Sequence, residues 1–205
     1  METLLIIAGS IIAASGTLPY IIATVRGTTK PRIITWATWS LLTGMASWAA
    51  FSDGQLTGGL FALMGAVSTC LIVLFGLRYA DRSFEKIDAF CLGGVITGLA
   101  LWLLFSNPAI GVWAAIIIDF IGLVPTARHA WRAPHEETAI TYAAVLVGGA
   151  LAVAPAIASG NTSVTAIGYP LYAAISLGLV TVTILWRRSS LAAVPAQDST
   201  QPAQR

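Results

Sequence analysis

The residue with the clearest capacity for chemistry is Asp119, which lies in the middle of the apolar run 109–131. An ionisable side chain at mid-bilayer costs about 2.5–3.5 kcal/mol on insertion scales and usually faces an interior cavity. Three functional readings follow: hydrogen bonding to a solute, contact with a cation, or coupling to a proton. The structural alternative is a protonated carboxyl that ties its helix to a neighbouring hydroxyl. We favour function, because intramembrane acids mark solute and proton pathways.

A few other polar side chains lie at a similar depth in the apolar runs. Singly, such hydroxyls mostly bond their own helix backbone or hold helices together. Around Asp119 they would line a modest, mostly apolar pocket. The predicted solute or proton site therefore comprises Asp119, Thr43, Ser68, Thr69, Tyr172 and Ser176.

Other chemistries lack the residues that they need. The histidines, His129 near the end of the run 109–131 and His135 in the break after it, form no metal motif, and the chain has neither HExxH nor CxxC, so we predict no metal site. No glycine-rich phosphate loop and no GxSxG nucleophile motif is present. We therefore expect no catalytic residues, no cofactor and no enzymatic activity.

The elements that must position Asp119 follow from composition. Of the 205 residues 57% are hydrophobic and only 10% are charged, and the mean hydropathy is +0.81. Soluble domains carry roughly a quarter charged residues, so this chain needs lipid as its solvent. A span needs roughly 20 apolar residues. Seven such runs occur, at about 3–25, 33–52, 57–78, 88–106, 109–131, 138–158 and 164–186.

The basic residues predict an orientation. All 11 Lys and Arg residues fall in the breaks after spans 1, 3 and 5 or after span 7. The positive-inside rule then places the N-terminus outside and the C-terminus in the cytoplasm, as in a multi-pass protein of the cytoplasmic (inner) membrane. The basic residues form no single patch, so we expect no nucleic-acid partner.

The chain repeats itself at an offset of 106 residues. Turn-forming and charged residues realign without a gap: Gly16 with Gly122, Pro19 with Pro125, Arg26 with Arg132, Thr35 with Thr141 and Gly54 with Gly160. Parallel repeats occur in several transporter architectures, with the substrate site at the repeat interface. We predict an all-α transmembrane fold of two three-helix repeats, 1–82 and 107–188, joined by a linker helix, 83–106. Residues 189–205 are predicted to be a disordered cytoplasmic tail.

Matched prolines mark the candidate hinges. Pro19 and Pro125 each free a backbone carbonyl one turn back, and Gly16 and Gly122 allow close helix approach. Static kinks explain the pattern equally well. Most of the seven tryptophans fit an aromatic belt at the membrane interfaces. Two depart from it: Trp36, since an aromatic residue recurs at its repeat position, and the deeper Trp102, expected to pack its helix.

Two short motifs carry a family resemblance that covers about residues 3–186. Leu18-Pro19-Tyr20 is followed by the basic, threonine-rich run 26–30, and Val124-Pro125-Thr126 by Arg132. With the 3+1+3 layout, they resemble the PQ-loop superfamily, which includes the SWEET sugar transporters, and the chain looks like a bacterial member. The nicotinamide riboside transporter family shares the layout. The resemblance implies transport of a small solute.

The sequence leaves two functions open. The favoured one is a transporter of a small polar solute, in which two triple-helix bundles alternate access to a central site, by facilitated diffusion or linked to a proton. The alternative is a non-transporting receptor or scaffold that uses its basic cytoplasmic face. A path that reaches Asp119 favours the first, and a tightly packed centre the second. The expected partners are a small-molecule solute and the lipid bilayer, with a homo-oligomer left open.

Overall fold

A computed structural model describes residues 1–27, 32–79 and 82–192 of the chain. The described residues are helical throughout, with short turns and no β-strand. The helices are α1 (Glu2–Ser15), α2 (Leu18–Val25), α3 (Ile33–Ser52), α4 (Leu56–Gly76), α5 (Lys86–Phe105), α6 (Pro108–Arg132), α7 (Ala139–Ala158) and α8 (Tyr169–Ala192), with a 3₁₀ turn at Pro134–Glu136 and a π-helical turn at Val164–Gly168.

Six candidate membrane spans occur among the described residues. Because α1 and α2 follow one another as a broken helix, the chain has seven long helical segments. Six are long and apolar enough to span a bilayer, the pattern of a multi-pass membrane protein. The exception is α3, which has 20 residues but is interrupted by hydroxyl and indole side chains.

One predicted boundary agrees with the structure and another differs from it. The α5–α6 break is confirmed at Ser106, whose φ of 49° ends α5, and at Asn107, whose side chain caps α6 by accepting from the Ala109 amide at 3.1 Å. The predicted tail begins too early, since α8 remains helical to Ala192 and covers residues 189–192. Residues 193–205, and Lys30 of the first basic loop, lie outside the described residues.

The turns α3–α4 and α7–α8 are built in the same way at matched positions. Gly54 and Gly160 have φ of +70° and +76°, the left-handed conformation that favours glycine. Each donates its amide to the carbonyl three residues back, at 2.9 and 3.0 Å. The next residues, Gln55 and Asn161, each donate to the carbonyl five residues back, at 2.9 and 2.8 Å. The 106-residue repeat therefore has a local structural counterpart.

The helices pack in matched pairs. The broken helix α1–α2 contacts α4 and α7, while α6 contacts α8 and α3; α4 also packs along α3, and α8 along α7. The linker α5 packs mainly on α6. Helices α1 and α7 approach each other closely: a β-carbon on Gly148 would overlap the Gly9 carbonyl oxygen and come within 2.6 Å of the Ala13 nitrogen. The absence of side chains at Gly9 and Gly148 allows this contact.

Candidate functional site

A wide cavity of about 600 Å³ lies at one end of the bundle. This end, which holds Arg26, Arg32, Arg78 and Arg132, is called the basic end below. Its polar lining mixes both charges: Arg32, Asp88, His129, Glu136 and Glu137. Helices α2, α3, α5, α6 and α7 all contribute lining residues, so the cavity lies at the meeting point of both repeats.

A second cavity of about 150 Å³ adjoins the first, deeper in the bundle, and is called the inner cavity below. Asp119 lines it, together with Thr43, Ser68 and Thr69. Four of the six predicted site residues are therefore brought together. Neither lysine nor arginine lines this cavity among the described residues.

An aromatic layer, formed by Tyr20, Trp36, Trp39 and Tyr142, lies where the two cavities meet. All four rings line the wide cavity, and Trp36, Trp39 and Tyr142 line the inner one as well. The Trp36 ring lies 4.9 Å from that of Tyr20 and 5.0 Å from that of Trp39, centre to centre. The Trp36 indole donates to the Tyr20 hydroxyl at 3.2 Å. Thus Trp36 and its repeat partner Tyr142 lie on the route between the cavities.

Glutamate and threonine side chains extend this layer. The Tyr142 hydroxyl donates to the Glu137 carboxylate at 2.6 Å. The Thr141 hydroxyl lies beside both cavities and, although buried, has no hydrogen-bond partner in the described part of the chain. An unpaired buried hydroxyl costs free energy, so Thr141 has an unused polar atom next to the cavities.

Asp119 projects from α6 between the helices rather than towards lipid. Its carboxyl adjoins the Tyr172 phenol of α8, without the alignment of a full hydrogen bond, and Tyr169 is also close. Ser176, by contrast, lines neither cavity and donates to the Ala173 carbonyl of its own helix at 3.4 Å. Tyr172 therefore lies beside Asp119, whereas Ser176 does not line the cavity that Asp119 lines.

A buried ion pair braces the wall of the wide cavity. Arg32, just before α3, bonds the Asp88 carboxylate of α5 at 2.7 Å and lies 3.3 Å from Glu85. The Thr35 hydroxyl also donates to Asp88, at 3.2 Å. Asp88 is only 5% exposed, whereas Arg32 is one-third exposed. A nearly buried carboxylate is thus compensated by an arginine at the cavity edge.

The opposite end of the bundle is closely packed. The Asn161 side chain donates to that of its repeat partner Gln55 at 2.8 Å, and Thr165 donates to Asp53. A β-carbon on Gly58 would overlap the Thr165 carbonyl oxygen. Neither cavity is lined by residues of these turns. The two cavities therefore lie towards the basic end.

The two matched pairs of hinge candidates have different backbone structures. Around Gly16 the first helix breaks, since α1 ends at Ser15 and α2 begins at Leu18 with Pro19 in its first turn. Gly122 and Pro125, in contrast, lie within the unbroken helix α6. Both line the wide cavity.

Sequence reasoning missed part of the site. Trp39, which the sequence assigns to the interfacial belt, is half-buried and lines both cavities, so it also belongs to the candidate site. The signal was readable: Thr35, Trp36, Trp39 and Thr43 recur at helical spacing on one face of α3. The prediction for Trp102 is confirmed, since it is buried and packs edge-to-face on Trp48 at 4.8 Å.

Comparison with models of known protein families, with curated proteins and with solved structures gives no match for this chain.

Proposed function

We propose that this chain is an integral membrane transporter of a small polar solute and works by alternating access. The observation that carries the proposal is the uneven packing along the bundle. A cavity of about 600 Å³ at the basic end leads through the aromatic layer to a cavity that holds an intramembrane carboxyl. The other end is closed by contacts between the matched turns. Access from one side only is what one state of such a transporter requires.

The helix pairings support a 3+1+3 arrangement. The contacts of α1–α2 with α4, and of α4 with α3, have counterparts in those of α6 with α8 and of α8 with α7. Between the triads, the contact of α1 with α7 corresponds to that of α6 with α3. The residue pair Gln55 and Asn161, matched at 106 positions, meets side chain to side chain. A twofold relation along the membrane normal, as in parallel-repeat transporters, accounts for all three observations.

The orientation of this state follows from charge. If the basic end faces the cytoplasm, as the positive-inside rule requires, the structure is an inward-facing form. The aromatic layer is then the inner gate, and the contacts of Gln55 with Asn161 and of Asp53 with Thr165 form the outer gate. The break at Gly16–Pro19 supplies a hinge in the first triad.

Flux across a bilayer tests the proposal. The full chain is reconstituted in liposomes preloaded with sugars, nucleosides, vitamins, amino acids or amines, and counterflow of the labelled solute is measured. Wild type should exchange one class, and Asp119→Asn should lose most of that flux. Glu2→Gln is the matched control, since Glu2 is exposed at the start of α1, away from both cavities, and it should behave as wild type. No flux with any class would contradict transport and favour the receptor or scaffold.

A proton link is a separate question for the same vesicles. Asp119 is the carboxyl in the inner cavity, so it is the group that would carry the proton. A pH gradient should then drive uptake in wild type but not in Asp119→Asn. Equal acceleration in both would exclude coupling through Asp119, and no acceleration in either would leave facilitated diffusion.

A further inference from the structure

Among the described residues that line the wide cavity, acidic side chains outnumber basic ones. Arg32, the one arginine among them, is committed to Asp88 and Glu85. Two glutamates remain at its mouth: Glu136, which is close to His129, and Glu137, which accepts from Tyr142. An excess of one sign of charge along a cleft attracts ligands of the opposite sign. The entrance therefore suits a cation better than an anion.

Four hydroxyls that line the inner cavity have no hydrogen left to donate. Thr43, Ser68 and Thr69 each donate to a carbonyl of their own helix, at 2.7, 2.7 and 3.0 Å, and Thr17 donates to Ala14. A hydroxyl has one hydrogen to donate, so these oxygens are left with lone pairs only. The Asp119 carboxylate, when ionised, is also only an acceptor. Apart from the Thr141 hydroxyl, which has no partner in the described part of the chain, these groups accept hydrogen bonds, and they match a ligand that donates them or carries positive charge.

The aromatic layer adds a second attraction for the same ligand. A cation within about 6 Å of the centre of an indole or phenol ring is attracted by its negative face, most strongly by tryptophan. Trp36, Trp39 and Tyr142 line both cavities and have no lysine or arginine between them and Asp119 among the described lining residues. A ligand that passes from the wide cavity to Asp119 must travel along these rings.

We propose that the solute is a small organic cation, an amine or quaternary ammonium compound, held between the rings of Trp36, Trp39 and Tyr142 and the Asp119 carboxylate. The inner cavity of about 150 Å³ limits the bound part to a few heavy atoms. Polyhydroxylated neutral solutes need several donors as well as acceptors, and Thr17, Thr43, Ser68 and Thr69 supply no donors. The inference names the solute class of the proposed function and, for transport, rests on it.

Calorimetric titration of the purified full chain in detergent tests the inference without any flux. The probes are choline, n-butylammonium and 3,3-dimethylbutanol, a neutral analogue of choline with carbon in place of nitrogen. At least one cation should bind about tenfold or more tightly than the neutral alcohol. Asp119→Asn should weaken that binding about tenfold or more, since it keeps the shape and removes the charge.

Two tryptophan variants isolate the role of the rings. Trp39→Phe keeps an aromatic face and should bind within a few-fold of wild type, whereas Trp39→Leu should lose about tenfold. Trp186→Leu is the matched control, because Trp186 is exposed and packs on Trp131 instead of a cavity. Its binding should equal that of wild type. Thermal melting of each variant verifies that it is folded before titration.

The outcomes separate this inference from the proposed function. Equal binding of alcohol and cations, or no binding of either, overturns the cation assignment. Counterflow of a neutral solute without cation binding also overturns it and leaves transport intact. Cation binding that depends on Asp119 and Trp39, without flux of that cation, supports the assignment and contradicts transport.

Discussion

The two segments predicted to be three-helix repeats share their turns and differ in their polar chemistry. Gly54 and Gly160 form the same left-handed turn, and the residues that follow them bond each other. At the centre, however, the repeat partner of Asp119 is Ala13, and both line the inner cavity. The comparison teaches that residues matched at the 106-residue offset shape the turns, while the acid of the candidate site stands at a position where the two segments differ.

The contacts between the segments differ in the same way. On one side α1 meets α7 through Gly9 and Gly148, with the backbones in contact. On the other side α6 meets α3, where the matched residues are Ala115 and Leu42, both buried in the main core. Glycine gives the first contact its closeness, and side chains separate the second pair.

The largest expected loss of stability comes from adding a side chain to the α1–α7 contact, so that it resembles the α6–α3 contact. In Gly148→Ala the new β-carbon would overlap backbone atoms of α1, which cannot move away as a flexible side chain can. We expect a loss of at least about 3 kcal/mol in unfolding free energy, above the usual range for overpacking. The measurement is unfolding of the purified chain by SDS in mixed micelles.

Gly93→Ala is the matched control. Gly93 lies within α5, is exposed, and has no atom within 4 Å of its β-carbon position. Alanine favours helix over glycine by about 0.5–1 kcal/mol, so this variant should be as stable as wild type or slightly more. If both variants unfold alike, the close α1–α7 contact does not exist.

A smaller loss of stability is expected from breaking the ion pair between Arg32 of the first segment and Asp88 of α5. Arg32 corresponds to Thr138 in the repeat. Arg32→Thr would leave the nearly buried Asp88 without its cation. Breaking a fully buried pair costs about 3–5 kcal/mol, and partial exposure of Arg32 reduces this to about 2 kcal/mol.

The double variant Arg32→Thr/Asp88→Asn checks that explanation. It removes the uncompensated charge as well as the arginine, so it should be more stable than Arg32→Thr alone. The same unfolding assay measures the cycle. A double variant as unstable as the sum of the single ones would mean that Arg32 and Asp88 are not coupled.

Much of the fold could be predicted because apolar runs mark the helices and turn-forming or charged residues mark where they end. Seven helical segments, the Ser106–Asn107 break and the buried Trp102 all followed from local patterns. Part of the site followed as well, since an acid such as Asp119 in hydrocarbon faces an interior. Thr43, Ser68 and Thr69 gathered beside it because their depth along the helices matched its own.

The remainder of the site depends on which helix faces meet, which hydropathy does not specify. The Arg32–Asp88 pair joins residues 56 positions apart and needs α3 and α5 to be neighbours. Trp39 could be assigned either to the belt or to the interior by composition alone. Ser176 lines neither cavity and bonds its own helix, and its position relative to Asp119 depends on the rotation of α8, which hydropathy does not specify.

The smallest expected effect concerns the positions at which the two segments agree. Gly54→Ala and Gly160→Ala each place a side chain at a φ of +70° or +76°, where alanine is strained by about 1 kcal/mol. No atom lies within 4 Å of either β-carbon position, so no clash adds to the strain. The two variants should therefore lose the same unfolding free energy in the SDS assay.

Asparagine separates backbone strain from other causes. It tolerates the left-handed region better than alanine, so Gly54→Asn and Gly160→Asn should each lose less than the alanine variant. Such a result at both turns would mean that the same backbone conformation is required twice, 106 residues apart. A loss at Gly54 without one at Gly160 would instead indicate turns of unequal construction, and the structural basis of the repeat would then be limited to the helices.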